Sequence, residues 1–346
     1  MSYFQPLISI CIPTYNGAST IEKTLNEIIP QLNSNFEIVI SDDVSTDETV
    51  NMVEKIQLSC EYIKIFKNEQ NLGMDGNFHK TTQLASGKYI WFCGQDDLLS
   101  DGILQQALEM IINNNDVGIL NLNFSQYDHD MQNCLTQSFF EISTFNKEIV
   151  QNNKELYFDT PEEYYQVFTQ PPSFLPSVVM LREYWLTTDV KQFYGTYFVQ
   201  VGVLLMNMHK HRIGVFTVPL IKGRIPDDQW QQDGNKLFSI MTGDLVAKKI
   251  AFDQNNELPY RIFHRDKLRY SLNYIFLLYS SKKCSFSPDR YNIEHLKIIY
   301  GNGLLYYLYI IPLVYVRINI LSLLYYPLSV LKKIVFKVSM VRQLRL

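Results

Sequence analysis

No cysteine in this chain has a partner at motif spacing. Cys11, Cys60, Cys93, Cys134 and Cys284 are odd in number and scattered, with no CxxC pair. That argues against a zinc site or a disulfide framework and for a reducing compartment. Net charge is equally scant, at −4, so no basic field marks a nucleic-acid binder. The opening MSYFQPLISICIPTYN has neither the basic segment nor the long apolar run of a signal peptide. The expectation is a cytoplasmic protein. Acidic residues vanish from the end of the chain: after Glu294 there is no Asp or Glu, and KKIVFKVSMVRQLRL closes it with five positive charges.

What is present is ample apolar and aromatic material, 47% and 14% of 346 residues. This suffices for one large domain and a smaller element. Short β-branched and aromatic runs recur at Ile8–Pro13, Glu37–Ser41, Tyr62–Lys67, Tyr89–Cys93 and Val117–Phe124. Stretches of helical spacing lie between them, at Thr20–Leu32, Asp47–Gln57, Gly76–Ala85 and Gly102–Ile112. The alternation predicts an α/β fold with a mostly parallel sheet covered by helices. Ser19 or Thr20, and Ser45 or Thr46, read as helix caps, and Asp47 as a helix-start residue. Further on, Ser177–Trp185 and Val215–Ile221 read as strands, and Tyr197–His209, Phe238–Phe252 and His264–Leu278 as helices.

In a parallel α/β sheet, ligands bind at the carboxyl ends of the strands. The first strand ends in Pro13-Thr14-Tyr15-Asn16, the second in Asp42-Asp43 and the fourth in Gln95-Asp96-Asp97. All three sets therefore fall on one edge. Neighbouring carboxylates repel and are costly to bury. A hard divalent cation, Mg²⁺ or Mn²⁺, removes that cost and draws in phosphate oxygens. The competing reading makes Asp96-Asp97 a cap for the helix that follows.

Four segments, ISICIPTYNGASTIEKTLNEII, EIVISDDVSTDETV, NLGMDGNF and ASGKYIWFCGQDDLL, resemble in order and spacing the family 2 glycosyltransferases of GT-A fold. Downstream, FLPSVVMLREYW, FYGTYFVQVGVL and PLIKGRIPDDQW are similar to the abequosyltransferase-type members, which add a deoxyhexose from a CDP-sugar during O-antigen assembly. The resemblance implies that Tyr15 stacks on a nucleobase, with Pro13, Thr14 and Asn16 beside it, and that Asp42 bonds the base edge. Asp96 would meet ribose or metal, and Asp97 would be the principal ligand of Mn²⁺ or Mg²⁺. The resemblance implies a GT-A domain over 1–236 (nucleotide half 1–124, acceptor half 125–236), followed by a helical extension over 237–298. The tyrosine-rich apolar runs Leu304–Val316 and Ile318–Leu331 and the closing basic cluster predict a membrane-associating tail over 299–346, against a competing reading as two helices packed on the catalytic domain.

Three departures from the family pattern matter. Gly94 replaces the first acid of the commoner Asp-x-Asp. Asp75 stands where many members carry a basic residue, and could accept from the cytosine amine. TYFVQVGVLL has Gln200 where the family presents a Glu-Asp pair holding the general base. That shifts the expected base to Asp228, with Asp227 beside it, although Asp-Asp after Pro is also an ordinary turn. Arg224 would contact phosphate and Trp230 stack on a sugar, whereas His209 and His211 read as surface or helix-end residues. The partners implied are a nucleotide diphosphate sugar, a lipid-linked glycan and the cytoplasmic membrane surface, with no nucleic acid. A catalytically silent GT-A domain is the alternative. A nucleotidyltransferase fits less well, because PTYNGAST is not the Gly-rich basic loop that a triphosphate needs.

Overall fold

The computed structural model describes residues 5–325 and 327, save 115, 129, 139, 144, 145 and 225–232. The chain forms two compact units, one of Met1–Pro226 with Ile250–Tyr260, the other of Asp227–Lys249 with Arg261–Leu346.

The first unit is built on a ten-stranded sheet. Its strands are β1 (Ile8–Thr14), β2 (Phe36–Asp42), β3 (Ile63–Lys67), β4 (Tyr89–Phe92), β5 (Leu98–Leu99), β6 (Val117–Tyr127), β7 (Cys134–Thr136), β8 (Glu155–Phe158), β9 (Val178–Leu181) and β10 (Arg212–Arg224). The order is β3-β2-β1-β4-β9-β6-β10-β5, with β7 beside β6 and β8 beside β10. β3, β2, β1 and β4 are mutually parallel. β9 lies antiparallel between β4 and β6, and β10 runs parallel to β6. Six strands therefore point one way, and only β5, β7, β8 and β9 oppose them.

β1 and β2 read ISICIPT and FEIVISD, and nearly every position in both is buried. Covered on two faces, they need continuous apolar runs rather than alternation. The covering helices include α1 (Ile21–Ile28), α2 (Thr49–Gln57), α3 (Gly73–Leu84) and α4 (Ile103–Asn113). α1 shows the cause: Ile21, Leu25 and Ile28 share one face and are buried. Later come α5 (Lys147–Asn152), α6 (Pro161–Val167), α7 (Arg182–Thr187) and α8 (Val199–Asn207).

Two expectations are corrected. Ser177–Trp185 is not one strand: it holds β9 and then turns into α7 at Arg182. The expected caps do not form either: Thr20 before α1 and Glu48 before α2 make no capping side-chain bond. Ser45 is instead occupied by Asp42 and the Asn16 N–H. Asp47 does serve the start of α2, accepting from Thr49 N at 3.1 Å.

The second unit is helical among the described residues. It contains Arg261–Lys283, Arg290–Tyr300 and most of Gly234–Gln254. Lys248 is buried there between Asp244 at 2.7 Å and Asp266 at 3.1 Å. Those two carboxylates hold its charge in place against burial.

Candidate active site

Parallel pairing sets the site's first wall. Thr14 lies opposite Asp42, so the ends of β1 and β2 arrive together. Asp42 is buried, and its Oδ1 accepts from Thr14 Oγ1 at 3.2 Å and Ser45 Oγ at 2.5 Å, while Oδ2 accepts from Ser45 N at 2.9 Å. Two acceptor oxygens offer about four lone-pair positions, so the carboxylate keeps room for one more donor. Asn16 and Val44 flank it with positive φ, 49° and 64°. A β-branched residue such as Val is strained in that region. Asp43 turns the other way, accepting from Leu72 N at 2.8 Å and Asn68 Nδ2 at 3.0 Å. It pins the chain entering α3, as a turn former does.

Gln95 stitches the end of β4 to the end of β1. Its Oε1 accepts from Tyr15 N at 3.0 Å and its Nε2 donates to Tyr15 O at 3.2 Å. Gly17 makes room for that side chain, because a Cβ at Gly17 would lie 2.3 Å from Gln95 Oε1. With its backbone fixed, the Tyr15 ring stands half exposed at 50%, open on the rim. Asn77 completes the frame from α3, donating to Ser41 O at 2.9 Å and Thr14 O at 3.4 Å. No local pattern marks Gln95, Ser45 or Asn77 as positioning residues, since each acts on a partner at least 29 positions away or on an unexpected neighbour. Ser45→Ala removes one hydroxyl from Asp42 and another acceptor from the Asn16 N–H. We expect it to weaken nucleoside diphosphate binding about fivefold, the equivalent of one ordinary hydrogen bond, which calorimetric titration would read.

The acids after β4 form the second wall. Asp97 is buried and Asp96 partly so. Gly102 is the residue that caps α4, with no side-chain bond, so the pair does not cap that helix. A carbon placed on Gly94 would sit 2.5 Å from Asp97 Oδ2 and 3.0 Å from Asp96 Oδ1. The two carboxylates thus close over one spot that a side chain at 94 would fill. β5 pairs with β10, Leu98 opposite Lys222, which brings the end of β10 alongside. Burial, then the neighbouring charge of Asp96, pushes Asp97 well above the usual carboxylate range. The backbone N–H groups of Gly94 and Arg224 and the Arg224 guanidinium pull it partway back. Two acids sharing one spot, with the Asp97 carboxyl buried and its pKa raised, are suited to a divalent cation that supplies the missing positive charge. Among the described residues no third His, Cys, Asp or Glu joins them, so water and phosphate oxygens would complete the shell.

Asp75 is placed apart from these acids. It lies buried near the start of α3, and its Oδ2 accepts from Gly195 N at 2.7 Å and Tyr197 N at 3.1 Å. Both residues have left-handed backbones, with φ of 83° and 62°, so the carboxylate clamps the turn leading into α8. Its Oδ1 has no hydrogen-bond partner among the described residues. Burial pushes its pKa up to about 6, against the pull of the Tyr197, Gly195 and Val199 N–H groups. Because the folded pKa exceeds the unfolded one, folding favours the protonated form. Stability falls as pH rises from about 4 to 6, and the cost at neutral pH is on the order of 3 kcal/mol. Asp75→Asn keeps an oxygen for the two N–H groups and carries no charge. We expect it to resist urea better than the native chain at pH 7.5 and to lose that advantage at pH 4.

Gln200 lies buried on α8, donating to Ser173 O at 3.2 Å, and no acid occurs anywhere on that helix. His209 and His211 bond Asn255 and Tyr184 respectively, as residues that tie helix ends do. Arg224 is the last residue of β10, at the same sheet edge as Asp97. Asp227, Asp228 and Trp230 lie outside the described residues.

Comparison with known proteins fits this geometry. The family model described as "Glycosyl transferase family 2" matches residues 9–162. The chain is 28% identical over 257 residues to the abequosyltransferase RfbV of Salmonella typhimurium, covering 71% of this chain and 75% of that one. It is 29% identical to WfgD of Escherichia coli, a UDP-Glc:alpha-D-GlcNAc-diphosphoundecaprenol beta-1,3-glucosyltransferase, over 41% of this chain and 54% of that one. Among solved structures, S. aureus TarS 1-349 in complex with UDP-GlcNAc aligns over 84% of this chain and 81% of that one, with a TM-score of 0.51 and 16% identity. That likeness concerns the fold.

Proposed function

We propose that this chain, whose fold is that of the GT-A glycosyltransferases, is a family 2 glycosyltransferase and that it moves a deoxyhexose from a CDP-linked donor to a lipid-linked glycan at the cytoplasmic membrane face, with Mn²⁺ or Mg²⁺ bound. The observation that carries this reading is the convergence of Asp96 and Asp97 over the space left by Gly94, on the same edge as the Asp42 cradle.

In this reading the half-exposed Tyr15 ring stacks on the nucleobase, and Pro13, Thr14 and Asn16 shape the floor beneath it. Asp42 Oδ1 and Oδ2, already bonded to Thr14 and Ser45, hold the base edge through their remaining acceptor capacity. Asp97, with Asp96, holds the cation, which when bound supplies Lewis-acid stabilisation of the departing nucleoside diphosphate. Arg224 faces the same phosphates with its guanidinium. Asp228, or Asp227 beside it, takes the proton from the acceptor hydroxyl, and Trp230 stacks on a sugar ring. The CDP preference is supported by likeness to an abequosyltransferase. The lipid-linked acceptor is supported by likeness to an enzyme named for a diphosphoundecaprenol substrate.

One observation favours a second reading. α8 carries Gln200 and no acid, which suits a GT-A domain that binds glycan or a partner without turnover. The deciding experiment incubates the protein with a panel of nucleotide sugars, Mn²⁺ and membrane extract. Release of a nucleoside diphosphate from one donor supports transfer, and nucleotide binding without release from any donor supports the silent domain.

A further inference from the structure

Gly223 precedes Arg224 at the end of β10, and space explains its presence there. It is not among the glycines of positive φ, so the backbone does not demand glycine. A Cβ at Gly223 would instead lie 2.6 Å from Phe174 Cζ and 3.0 Å from Phe174 Cε1. Glycine inside a strand often marks such a close approach. The ring thus rests on the β10 backbone, one residue short of the guanidinium whose charge reaches Asp97.

Phe174 is poorly placed to yield. Its ring stacks on Phe124, with centroids 4.2 Å apart and planes at 29°. Phe124 is buried on β6, opposite Ile221 of β10. The backbone around Phe174 is tied down as well. Ser173 O accepts from Gln200 Nε2 at 3.2 Å, and Phe174 O from Ser177 Oγ at 2.6 Å. Pro176 O accepts from Trp91 Nε1 at 2.8 Å. Trp91 is fully buried on β4, the strand that runs on to Asp96 and Asp97. Residues 173–177 therefore touch both strands that end at the charged groups, β4 through Trp91 and β10 through Phe174.

We infer that Phe174 is a positioning residue, a wedge that sets how far Arg224 stands from the Asp96–Asp97 pair, so that guanidinium and cation fit one diphosphate. The inference rests on the proposed diphosphate site and deepens it. A guanidinium is a rigid fork that recognises phosphate by geometry as well as charge, so its seat must be fixed closely. Gln200, on a helix without acids, then serves as the anchor of the wedge.

Calorimetric titration of the full chain with inorganic pyrophosphate and Mg²⁺ tests this, because the probe carries neither base nor sugar. Gly223→Ala places a methyl about 1 Å inside the ordinary carbon–carbon separation from the ring and should push the end of β10. Pyrophosphate binding should weaken about tenfold, the scale of one charge-assisted hydrogen bond. Arg224→Gln should weaken it by the same order. Added to Arg224→Gln, Gly223→Ala should change nothing further, since the wedge acts through Arg224. Gly223→Ala/Phe174→Leu should regain most of the loss, because leucine vacates the place of the methyl. Phe174→Leu alone removes the wedge without a clash and should weaken binding in the same direction, but only while Arg224 is present. A thermal melt checks that each variant folds, and either folded single variant suffices. Native binding of pyrophosphate by a folded Gly223→Ala or Phe174→Leu chain would overturn the inference. So would a loss that persists undiminished without Arg224, which marks general packing, or one that Phe174→Leu does not relieve in Gly223→Ala. A native chain that binds no pyrophosphate with Mg²⁺ would overturn it too. Absence of sugar transfer, or of any preference for cytidine nucleotides, would overturn the proposed reaction and leave the pyrophosphate result standing.

Discussion

Asp97→Asn is expected to lower sugar transfer by about 10²–10³, the scale on which losing charge stabilisation at a departing diphosphate acts. The fold should survive, and the reason is electrostatic. The native Asp97 carboxyl is pushed upward by burial and by Asp96, so without a cation the site already strains against carrying two charges. The amide removes that strain and should leave thermal stability equal or slightly improved. What it removes is half the negative charge that draws the cation. Transfer and stability should therefore move in opposite directions, which general unfolding would not produce. Rates at saturating Mn²⁺ together with a thermal melt separate the two.

Gly94→Asp carries the second large effect, in a direction that motif reasoning would not choose. The substitution restores the commoner Asp-x-Asp spacing and adds a carboxylate, so counting ligands predicts a better metal site. Geometry predicts the opposite. A Cβ at 94 would meet Asp97 Oδ2 at 2.5 Å and Asp96 Oδ1 at 3.0 Å, contacts that force both carboxylates off the spot they share. The atoms displaced are side-chain ends, so the backbone is spared and the fold should hold. Transfer should fall about 100-fold, the scale for reacting groups moved by about 1 Å. Gly94→Ala, which adds the methyl without the charge, should fall comparably. If the aspartate variant instead gained activity while the alanine variant lost it, the shared-spot geometry would be wrong.

The rim was legible in the sequence because its logic is one-dimensional. Apolar runs such as YIWF mark buried strands, and in a parallel sheet the polar residues that follow land on one edge. Tyr15, Asp42, Asp96 and Asp97 could all be assigned to that edge without coordinates. What could not be read were contacts between distant segments. Asp75 meets Gly195 and Tyr197 from 120 and 122 positions away, so its burial and raised pKa had no local signature. Ser45 resembles any helix cap until Asp42 is seen to occupy it. Ser177–Trp185 misled for another reason. The run is mostly apolar, and the Arg182-Glu183 pair inside it gives no periodic hint that β9 ends and α7 begins. The role of Gly94 was hidden too, because an absent side chain shows its purpose only when its neighbours are placed.

Binding linkage measures most directly whether the rim carboxylates couple a cation to a diphosphate. Titrating CDP into the native protein with and without Mn²⁺ should show affinity at least tenfold tighter with the metal, and Asp97→Asn should abolish the difference while leaving metal-free binding unchanged. Equal CDP affinity with and without Mn²⁺ in the native chain, or an undiminished metal effect in the variant, would contradict it.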